Sequence, residues 1–249
     1  MSLFQGQSTV EEIRTRFDND VERFSNLETG QSAAMDAPLA LELITQAALA
    51  VTPYPRRILD LGCGAGNFTL RLLSCCDSIT DVTLVDLSQP MLEKARERVL
   101  ACRNITAKTI QADLREVTLR GDGYDVVLAG AVLHHLRTES EWIETFQKVF
   151  NATRAGGSFW IFDLVTHRHS GIQQLMWQRY GKYLTSLKGE VYRDQVFAYS
   201  TYEDSPRSVP EQLNWLRGAG FDSVELLHAN GCFAAFGGIR KPDENRTNQ

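Results

Sequence analysis

The fold follows from one stretch of the chain, which reads Arg57-Ile58-Leu59-Asp60-Leu61-Gly62-Cys63-Gly64-Ala65-Gly66-Asn67-Phe68-Thr69-Leu70. A short apolar run stops at alternating glycines, and an apolar pattern typical of a helix starts directly after them. This order predicts a strand, a tight turn and a helix, which open a nucleotide-binding βαβ unit. Glycine suits the turn because it permits unusual backbone angles and lets a ligand approach the main chain.

The spacing of the glycines indicates which ligand the turn accepts. A dinucleotide fingerprint has glycine at its first, third and sixth positions, but the sixth position counted from Gly62 is Asn67. Asp60 adds a carboxylate that would attract an ammonium group and repel a pyrophosphate. The turn is not a P-loop, since no Gly-Lys-Ser/Thr follows it. The pattern therefore favours a cationic ligand without phosphate.

A second acid ends the next predicted strand, Val82–Asp86. Asp86 follows Gly62 at a separation close to the ~20 residues expected for a carboxylate that binds ribose hydroxyls. The two acids around the glycine turn therefore indicate a nucleoside ligand.

These motifs resemble those of the class I S-adenosylmethionine-dependent methyltransferases. The resemblance covers roughly residues 57–240 and rests on Asp60–Gly66, Val85–Ser88, Gln111–Leu114, Tyr124–Val127 and Leu133–Leu136. It implies S-adenosylmethionine as cofactor and methyl transfer to a small-molecule acceptor. It also implies an α/β fold with a Rossmann-like, doubly wound, seven-stranded sheet and a C-terminal antiparallel hairpin.

The resemblance also assigns residues to the cofactor. Asp86 would bind the ribose, Leu87 would pack on adenine, and Asp113 would accept the adenine amine, with the Leu114 amide facing a ring nitrogen. Asp113 is alternatively a turn or cap residue, since aspartate is common at strand ends. The Ala129 carbonyl would lie near the methionyl ammonium. The predicted cofactor residues are Asp60, Gly62, Cys63, Gly64, Asn67, Asp86, Leu87, Asp113, Leu114 and Ala129.

The candidate catalytic residues are His134, His135 and Asp163. Both histidines follow a predicted strand at the edge of the sheet where ligands bind, and histidine is the usual general base. Asp163 ends another strand at the same edge, where it would meet a substrate. The alternatives are a histidine held by backbone at a helix entry and an aspartate that caps a loop.

The sequence predicts two parts: a helical cap over residues 1–52 and a methyltransferase domain over residues 53–249. The apolar spacing predicts one amphipathic helix over residues 8–26 and another over 36–51, with Asp36 as N-cap. The first helix either packs on the rim or, as in the resembled family, folds over the cofactor. Its candidates for contact with the cofactor are Arg16, Phe17, Arg23 and Phe24.

Residues 166–208 are rich in aromatic, basic and histidine side chains and interrupt the alternation of strands and helices. The resembled family builds its acceptor pocket here, which implies a helical substrate lid. Tyrosine, arginine and tryptophan anchor ligands well because they combine a large contact area with a directed polar end. The alternative is a surface helical hairpin packed by its aromatic residues.

The remaining patterns predict an ordinary alternation of elements. Helices are expected at 89–101, with Ser88 as cap, and at 139–152 and 209–216. Strands are expected at 106–111, 124–129, 158–164, 224–228 and 233–239, with turns at Ala155–Gly157 and Asn230-Gly231.

Composition limits the classes of partner. A chain of 249 residues with 43% hydrophobic and 23% charged residues predicts a soluble globular protein. Its net charge of −5 argues against a nucleic-acid partner. Five scattered cysteines predict reduced thiols, a cytoplasmic location and no metal site. No apolar run approaches the ~18 residues of a membrane span, so no membrane partner is predicted.

Two other functions remain open. Arg16–Asp18, Gly218–Phe221 and Phe233–Gly238 also resemble the carboxy-S-adenosylmethionine synthase branch, in which Arg179 or Arg193 would hold the added carboxylate. A cofactor-binding protein without turnover would carry the same motifs. A dehydrogenase fits less well, because the dinucleotide spacing is missing.

Overall fold

The computed structural model describes residues 7–26, 31–119, 121 and 123–243. Within these residues, seven strands form one sheet in the order β3-β2-β1-β4-β5-β7-β6. The strands are β1 Arg57–Leu61, β2 Asp81–Asp86, β3 Thr106–Gln111, β4 Tyr124–Gly130, β5 Thr153–Leu164, β6 Ser223–Asn230 and β7 Phe233–Ile239. Strands β1 to β5 run parallel, and β7 is antiparallel to both β5 and β6. The predicted doubly wound sheet with its closing hairpin is confirmed.

Helices connect and flank these strands. They are α1 Val10–Asp18, α2 Val21–Ser25, α3 Ala37–Val51, α4 Asn67–Cys75, α5 Gln89–Cys102, α6 Glu139–Ala152, α7 Ser170–Glu203 and α8 Val209–Ala219, with a 3₁₀ turn at Leu133–His135. The Ser88 hydroxyl accepts a hydrogen bond from Met91 N and begins α5 as predicted. No helix of the described ranges has the length and apolar composition needed to span a bilayer.

Two apolar cores lie on opposite faces of the sheet, because successive strand residues point to opposite sides. Leu72 and Leu92 of the helices pack with Val126 of β4 in one core. Trp142 and Leu216 pack with Val127 in the other core. With both faces covered, the edge where the parallel strands end is the part of the sheet that is open to a ligand among the described residues.

The N-terminal segment is not the single helix that the sequence predicted. It breaks between α1 and α2, where Asn19 donates from its side chain to Thr15 O at 2.7 Å. Asparagine and aspartate bind nearby backbone groups in this way, and so compete with helix continuation at Asn19 and Asp20. The break lets α1 and α2 lie at an angle over the sheet edge.

Asp36 occupies the predicted N-cap position of α3, but its side chain does not cap the helix. Asp36 has a φ of 59° and makes no side-chain capping bond. Its carboxylate accepts hydrogen bonds from His228 Nε2 and Asn230 Nδ2, each at 2.8 Å. These two partners lie on β6, far away in sequence, and a tertiary contact has replaced the local one.

The predicted turn at Ala155–Gly157 lies inside β5, which begins at Thr153 and contains Gly156 at a φ of 76°. The register shift between Tyr124 and Val126 of β4 accommodates this irregularity as a bulge.

The segment predicted as an insertion, residues 166–208, is helical. Non-helical angles at Lys188 and Gly189 divide α7 into two halves. The rings of Trp177 and Phe197 stack at 4.6 Å, so the halves fold back on each other as a hairpin. The outermost residues of the predicted cap and methyltransferase domain, 1–6 and 244–249, lie outside the described residues.

Candidate active site

A cavity of about 800 Å³ opens at the carboxyl edge of the sheet. Its floor contains Asp60, Asp86 and Gly130 from the ends of neighbouring strands. Helices α1 and α2 form one wall and the second half of α7 forms another. The volume lies within the ~300–1,000 Å³ typical of small-molecule sites.

The glycine turn between β1 and α4 borders this cavity. Gly62, Gly64 and Gly66 have φ values of 61°, 48° and 83°, which glycine adopts without strain. The Asp86 carboxylate accepts hydrogen bonds from Gly64 N at 2.8 Å and Ser88 N at 2.9 Å. A Cβ added at Gly64 would meet no protein atom within 4 Å, so this residue faces open space.

Asp60 is the buried acid of the site. Its carboxylate accepts a hydrogen bond of 2.7 Å from the Thr69 hydroxyl and is 1% exposed. Burial raises the pKa of Asp60 to about 7. Burial also raises the pKa of Asp86, although three backbone amides oppose that shift. A cation bound beside these carboxylates would stabilise their charged forms.

Asp113 already has a cationic partner. Arg115 donates to the Asp113 carboxylate from its backbone N and its Nε, each at 2.8 Å. Burial opposes ionisation, but the hydrogen bonds and charge of Arg115 lower the pKa of Asp113. Asp113, Leu114 and Leu87 line the cavity, and a carboxylate has acceptor sites beyond those that Arg115 occupies.

The cavity does not reach Ala129, which is buried inside β4. Gly130 and Ala131 form the lining instead, because β4 continues one residue further than predicted. Ala131 has a φ of 54° and donates from its amide to Phe162 O at 2.7 Å. A residue other than glycine with such an angle stores strain, which is common at ligand sites.

Cys63 and Asn67 also line the cavity, but their side-chain contacts are structural. Burial raises the pKa of the Cys63 thiol well above its usual value, so the thiol is neutral. The Asn67 side chain donates to Phe24 O at 3.1 Å and accepts from Arg98 at 2.9 Å. Asn67 thus ties α2 to the start of α4.

The two histidines also line the cavity, and they differ in charge. Burial opposes protonation of His134, but the carboxylates of Asp163 and Asp204 raise its pKa to about 9. Burial and the positive charges of His134 and Arg137 lower the pKa of His135 well below its usual value. The His135 ring lies edge-on to Phe17 at 5.9 Å.

Asp163 does not meet the cavity, contrary to its predicted place beside the substrate. It is fully buried because β5 lies between β4 and β7. Its carboxylate contacts His134 Nδ1 and accepts from the His134 amide at 3.2 Å. The residue therefore contacts His134 and does not line the cavity.

Arg16, Phe17, Arg23 and Phe24 line the cavity, as predicted for the N-terminal helices. The Arg16 guanidinium lies 4.1 Å from the centre of the Tyr199 ring on α7. The Ser88 hydroxyl donates to Asp18 at 2.5 Å. These two contacts connect α1 to Tyr199 on α7 and to Ser88 at the start of α5.

Comparisons with known proteins agree with this geometry. Residues 58–157 match the family model of a methyltransferase domain. Bacillus subtilis YqeM, which is named as a methyltransferase, is 30% identical over 177 residues, or 71% of this chain and 59% of that protein. The chain carries a class I S-adenosylmethionine-dependent methyltransferase domain. The resemblance found in the motifs is thereby confirmed.

Other relatives of the methyltransferase domain agree on the fold. A Listeria monocytogenes demethylmenaquinone methyltransferase is 22% identical over 191 residues, covering 75% of this chain and 79% of that protein. An O-methyltransferase family protein from Burkholderia thailandensis superposes with a TM-score of 0.66 at 17% identity, covering 92% of this chain and 63% of that one. The chain thus spans less than two thirds of the length of both YqeM and the Burkholderia protein.

Asp204 also lines the cavity, a position that the sequence did not reveal. It follows α7 and places its Oδ1 atom 3.5 Å from His135 Nδ1 and 3.8 Å from His134 Nε2. The Ser205 amide holds it there by donating to His134 O at 2.7 Å. No local pattern signals this role, because Asp204 resembles any polar residue after a helix.

The two arginines considered for a carboxylated cofactor do not line the cavity of the methyltransferase domain. Arg193 instead pairs with its neighbour Asp194 at 2.8 Å. Arg115 and Arg137 do line the cavity, and their positive charges act on His135.

Proposed function

We propose that the chain transfers a methyl group from S-adenosylmethionine to a small-molecule acceptor. The observation that carries this proposal is one cavity lined by two chemically different groups of residues, which we assign to a cofactor end and an acceptor end. The glycine turn, Asp60 and Asp86 form the end suited to a cationic nucleoside. His134, His135 and α7 form the other end, within the same 800 Å³.

The first end fits the cofactor for physical reasons. Gly64 leaves open space where a side chain would block the approach of a ligand to the backbone. Asp86 is already fixed by two backbone amides, so its carboxylate is held in place before a ribose binds. Asp60 offers a buried negative charge to the ammonium or sulfonium group.

The second end fits a flat, partly apolar acceptor. Tyr180, Tyr192 and Tyr199 line it together with Phe17 and Phe233. Aromatic walls provide contact area and exclude water, and hydroxyls set orientation. The buried Tyr199 hydroxyl has no hydrogen-bond partner among the described residues and is available to an acceptor.

The activated methyl group comes with the cofactor, so the chain has to align the acceptor and exclude water. α1, α2 and α7 close the cavity on both sides for this purpose. His135 Nδ1 is buried without a hydrogen-bond partner in the described part of the chain. It can accept a proton from an acceptor hydroxyl or interact with that oxygen through a bound ion.

Binding and turnover can be tested separately. We expect calorimetry to show S-adenosylmethionine binding that Asp86→Asn weakens strongly. Gly64 N and Ser88 N donate to different oxygens of the Asp86 carboxylate, whereas an amide offers one acceptor oxygen and no negative charge. Asp194→Asn, with a side chain 64% exposed, is the matched control. Methyl-labelled cofactor incubated with a metabolite extract should then yield a labelled product. Binding that ignores the Asp86 substitution would contradict the proposal.

A further inference from the structure

Three side chains converge at the acceptor end of the cavity. His134, His135 and Asp204 each present a ligand atom, and these atoms lie within 4.8 Å of one another. Asp204 Oδ1 and His135 Nδ1 are buried and have no hydrogen-bond partner in the described ranges. Buried polar atoms are normally paired, so two adjacent unpaired ones indicate a missing partner.

The distances suit a small ion between these atoms. Asp204 Oδ1 lies 3.5 Å from His135 Nδ1 and 3.8 Å from His134 Nε2. Ligand bonds of ~2.1 Å at ordinary coordination angles separate neighbouring ligand atoms by about 3.0–3.5 Å. Both Asp204 distances are close to this range, while the three ligand atoms lie within 4.8 Å of one another and would have to move closer together around the ion.

The charge around this point favours a cation. The Asp204 side chain is 5% exposed, Glu203 is 2% exposed and Asp163 is fully buried. Buried carboxylates need positive charge nearby. Arg16, Arg115 and Arg137 act on His135 from the other side, but Arg115 already pairs with Asp113 and Arg137 donates to Ser8 O.

The histidine orientation is fixed in the manner typical of metal sites. Asp163 contacts His134 Nδ1, so Nε2 is the ring nitrogen left for a ligand bond. A carboxylate behind a metal-binding histidine orients the ring and increases its basicity. The hydrogen bond from Ser205 N to His134 O positions Asp204 opposite that nitrogen.

We propose that His134 Nε2, His135 Nδ1 and the Asp204 carboxylate bind a divalent transition-metal ion of the zinc, manganese or iron class. Two imidazoles and one carboxylate suit these ions and leave positions open toward the cavity. The scattered cysteines predicted no metal site. Asp204 is distant from the histidines along the chain and forms no spaced motif with them.

The open positions define a role in the reaction, and this role rests on the proposed methyl transfer. An acceptor hydroxyl bound to the ion would have a lowered pKa and release its proton to solvent. Its oxygen would then form the bond to the methyl carbon while the carbon–sulfur bond breaks and sulfur keeps the electron pair. Ion binding itself needs neither cofactor nor acceptor.

Direct binding measurements test the site. Full-length protein, freed of any polyhistidine tag and stripped of metal with a chelator, is titrated with Zn²⁺ in a calorimeter and with Co²⁺ in a visible spectrometer. We expect one ion per chain and cobalt absorption bands typical of nitrogen and oxygen ligands. Asp204→Asn and His135→Gln should weaken binding more than about 100-fold, since even a residue that only orients a ligand is worth ~10–100-fold.

The controls separate this proposal from the proposed function. Asp194→Asn changes an exposed acid on α7 and should bind the ion like the unsubstituted protein. The far-UV circular dichroism spectrum of each variant should match that of the unsubstituted protein, which shows that the variants fold. Absence of stoichiometric binding, or binding that survives both Asp204→Asn and His135→Gln, overturns the metal site. Loss of cofactor binding in the unsubstituted protein would instead contradict the methyl-transfer proposal.

Discussion

The Asp86 carboxylate accepts a hydrogen bond of 2.8 Å from the Gly64 amide. This bond joins the end of β2 to the glycine turn after β1, and it holds Gly64 at a φ of 48°. The acid and the turn that the sequence assigned to one ligand are therefore physically coupled. Each of them can be altered separately.

Two glycine substitutions should have different effects. Gly64→Ala places a methyl group in open cavity space. We expect the variant to fold with a loss of about 1–2 kcal/mol from the left-handed backbone, and to bind S-adenosylmethionine at least ~10-fold more weakly. Gly62→Ala would bring its Cβ 2.2 Å from Val132 Cγ2 and should destabilise the fold more. Thermal unfolding and calorimetry measure both effects. Equal cofactor affinity in Gly64→Ala and the unsubstituted protein would show that the cofactor does not approach the backbone at Gly64.

Cofactor binding should depend on pH through Asp60. Its pKa in the folded protein is raised from 3.8 to about 7, so the acid binds more protons in the folded than in the unfolded state between these values. The stability that Asp60 contributes in its protonated form is complete below pH 3.8 and is lost as the pH rises through about 7. A cationic ligand requires the ionised form, so affinity should fall about tenfold from pH 8 to pH 6.

Calorimetry in buffers of different ionisation enthalpy measures the proton released on binding. Asp60→Asn should bind more weakly and lose this pH dependence. Asp77→Asn, with a side chain 99% exposed, is the control and should retain it. An unchanged pH profile in Asp60→Asn would show that another group is responsible.

The N-terminal helices should open more easily than the rest of the chain. Neither α1 nor α2 contains a buried residue, and both are held by contacts such as Arg16 on Tyr199. Segments with few buried contacts open at low free-energy cost. We expect fast amide exchange over residues 10–25, slowed by S-adenosylmethionine and accelerated by Arg16→Ala, which removes about 0.5–1 kcal/mol.

Arg14→Ala is the matched change on the same helix, because Arg14 pairs only with Glu11 among the described residues. Amide exchange of α1 and α2 in Arg14→Ala should resemble that of the unsubstituted protein. If cofactor leaves the exchange of α1 and α2 unaltered, these helices do not form a lid.

The Tyr199 hydroxyl should form a hydrogen bond with the bound acceptor and should contribute nothing to the stability of the fold. It is buried without a hydrogen-bond partner in the described chain, so Tyr199→Phe removes an unsatisfied group. We expect an unchanged or slightly higher unfolding temperature, unchanged cofactor affinity and a raised KM for the acceptor. Tyr202→Phe, at a residue 51% exposed, controls for the substitution. A clear loss of stability in Tyr199→Phe would indicate a structural hydroxyl.

Local structure could be predicted from the sequence where residues close together along the chain determine it. Alternating glycines predicted the turn after β1, and Ser88 predicted the start of α5, because both depend on backbone angles and capping bonds within a few residues. Continuous apolar residues in β4 predicted a central strand, since such a strand is covered on both faces.

Long-range contacts decided the rest. The Asp36 side chain bonds to His228 and not to the helix that it precedes, and Asp163 became fully buried behind His134, because strands distant in sequence pack beside them. The pairing of His134 and His135 with Asp204 depends on how α7 folds back over the sheet edge. The sequence by itself therefore determined the sheet and the glycine turn, whose signals are local. Only the tertiary structure decided the grouping of His134, His135 and Asp204, because these residues come from segments that meet only after folding.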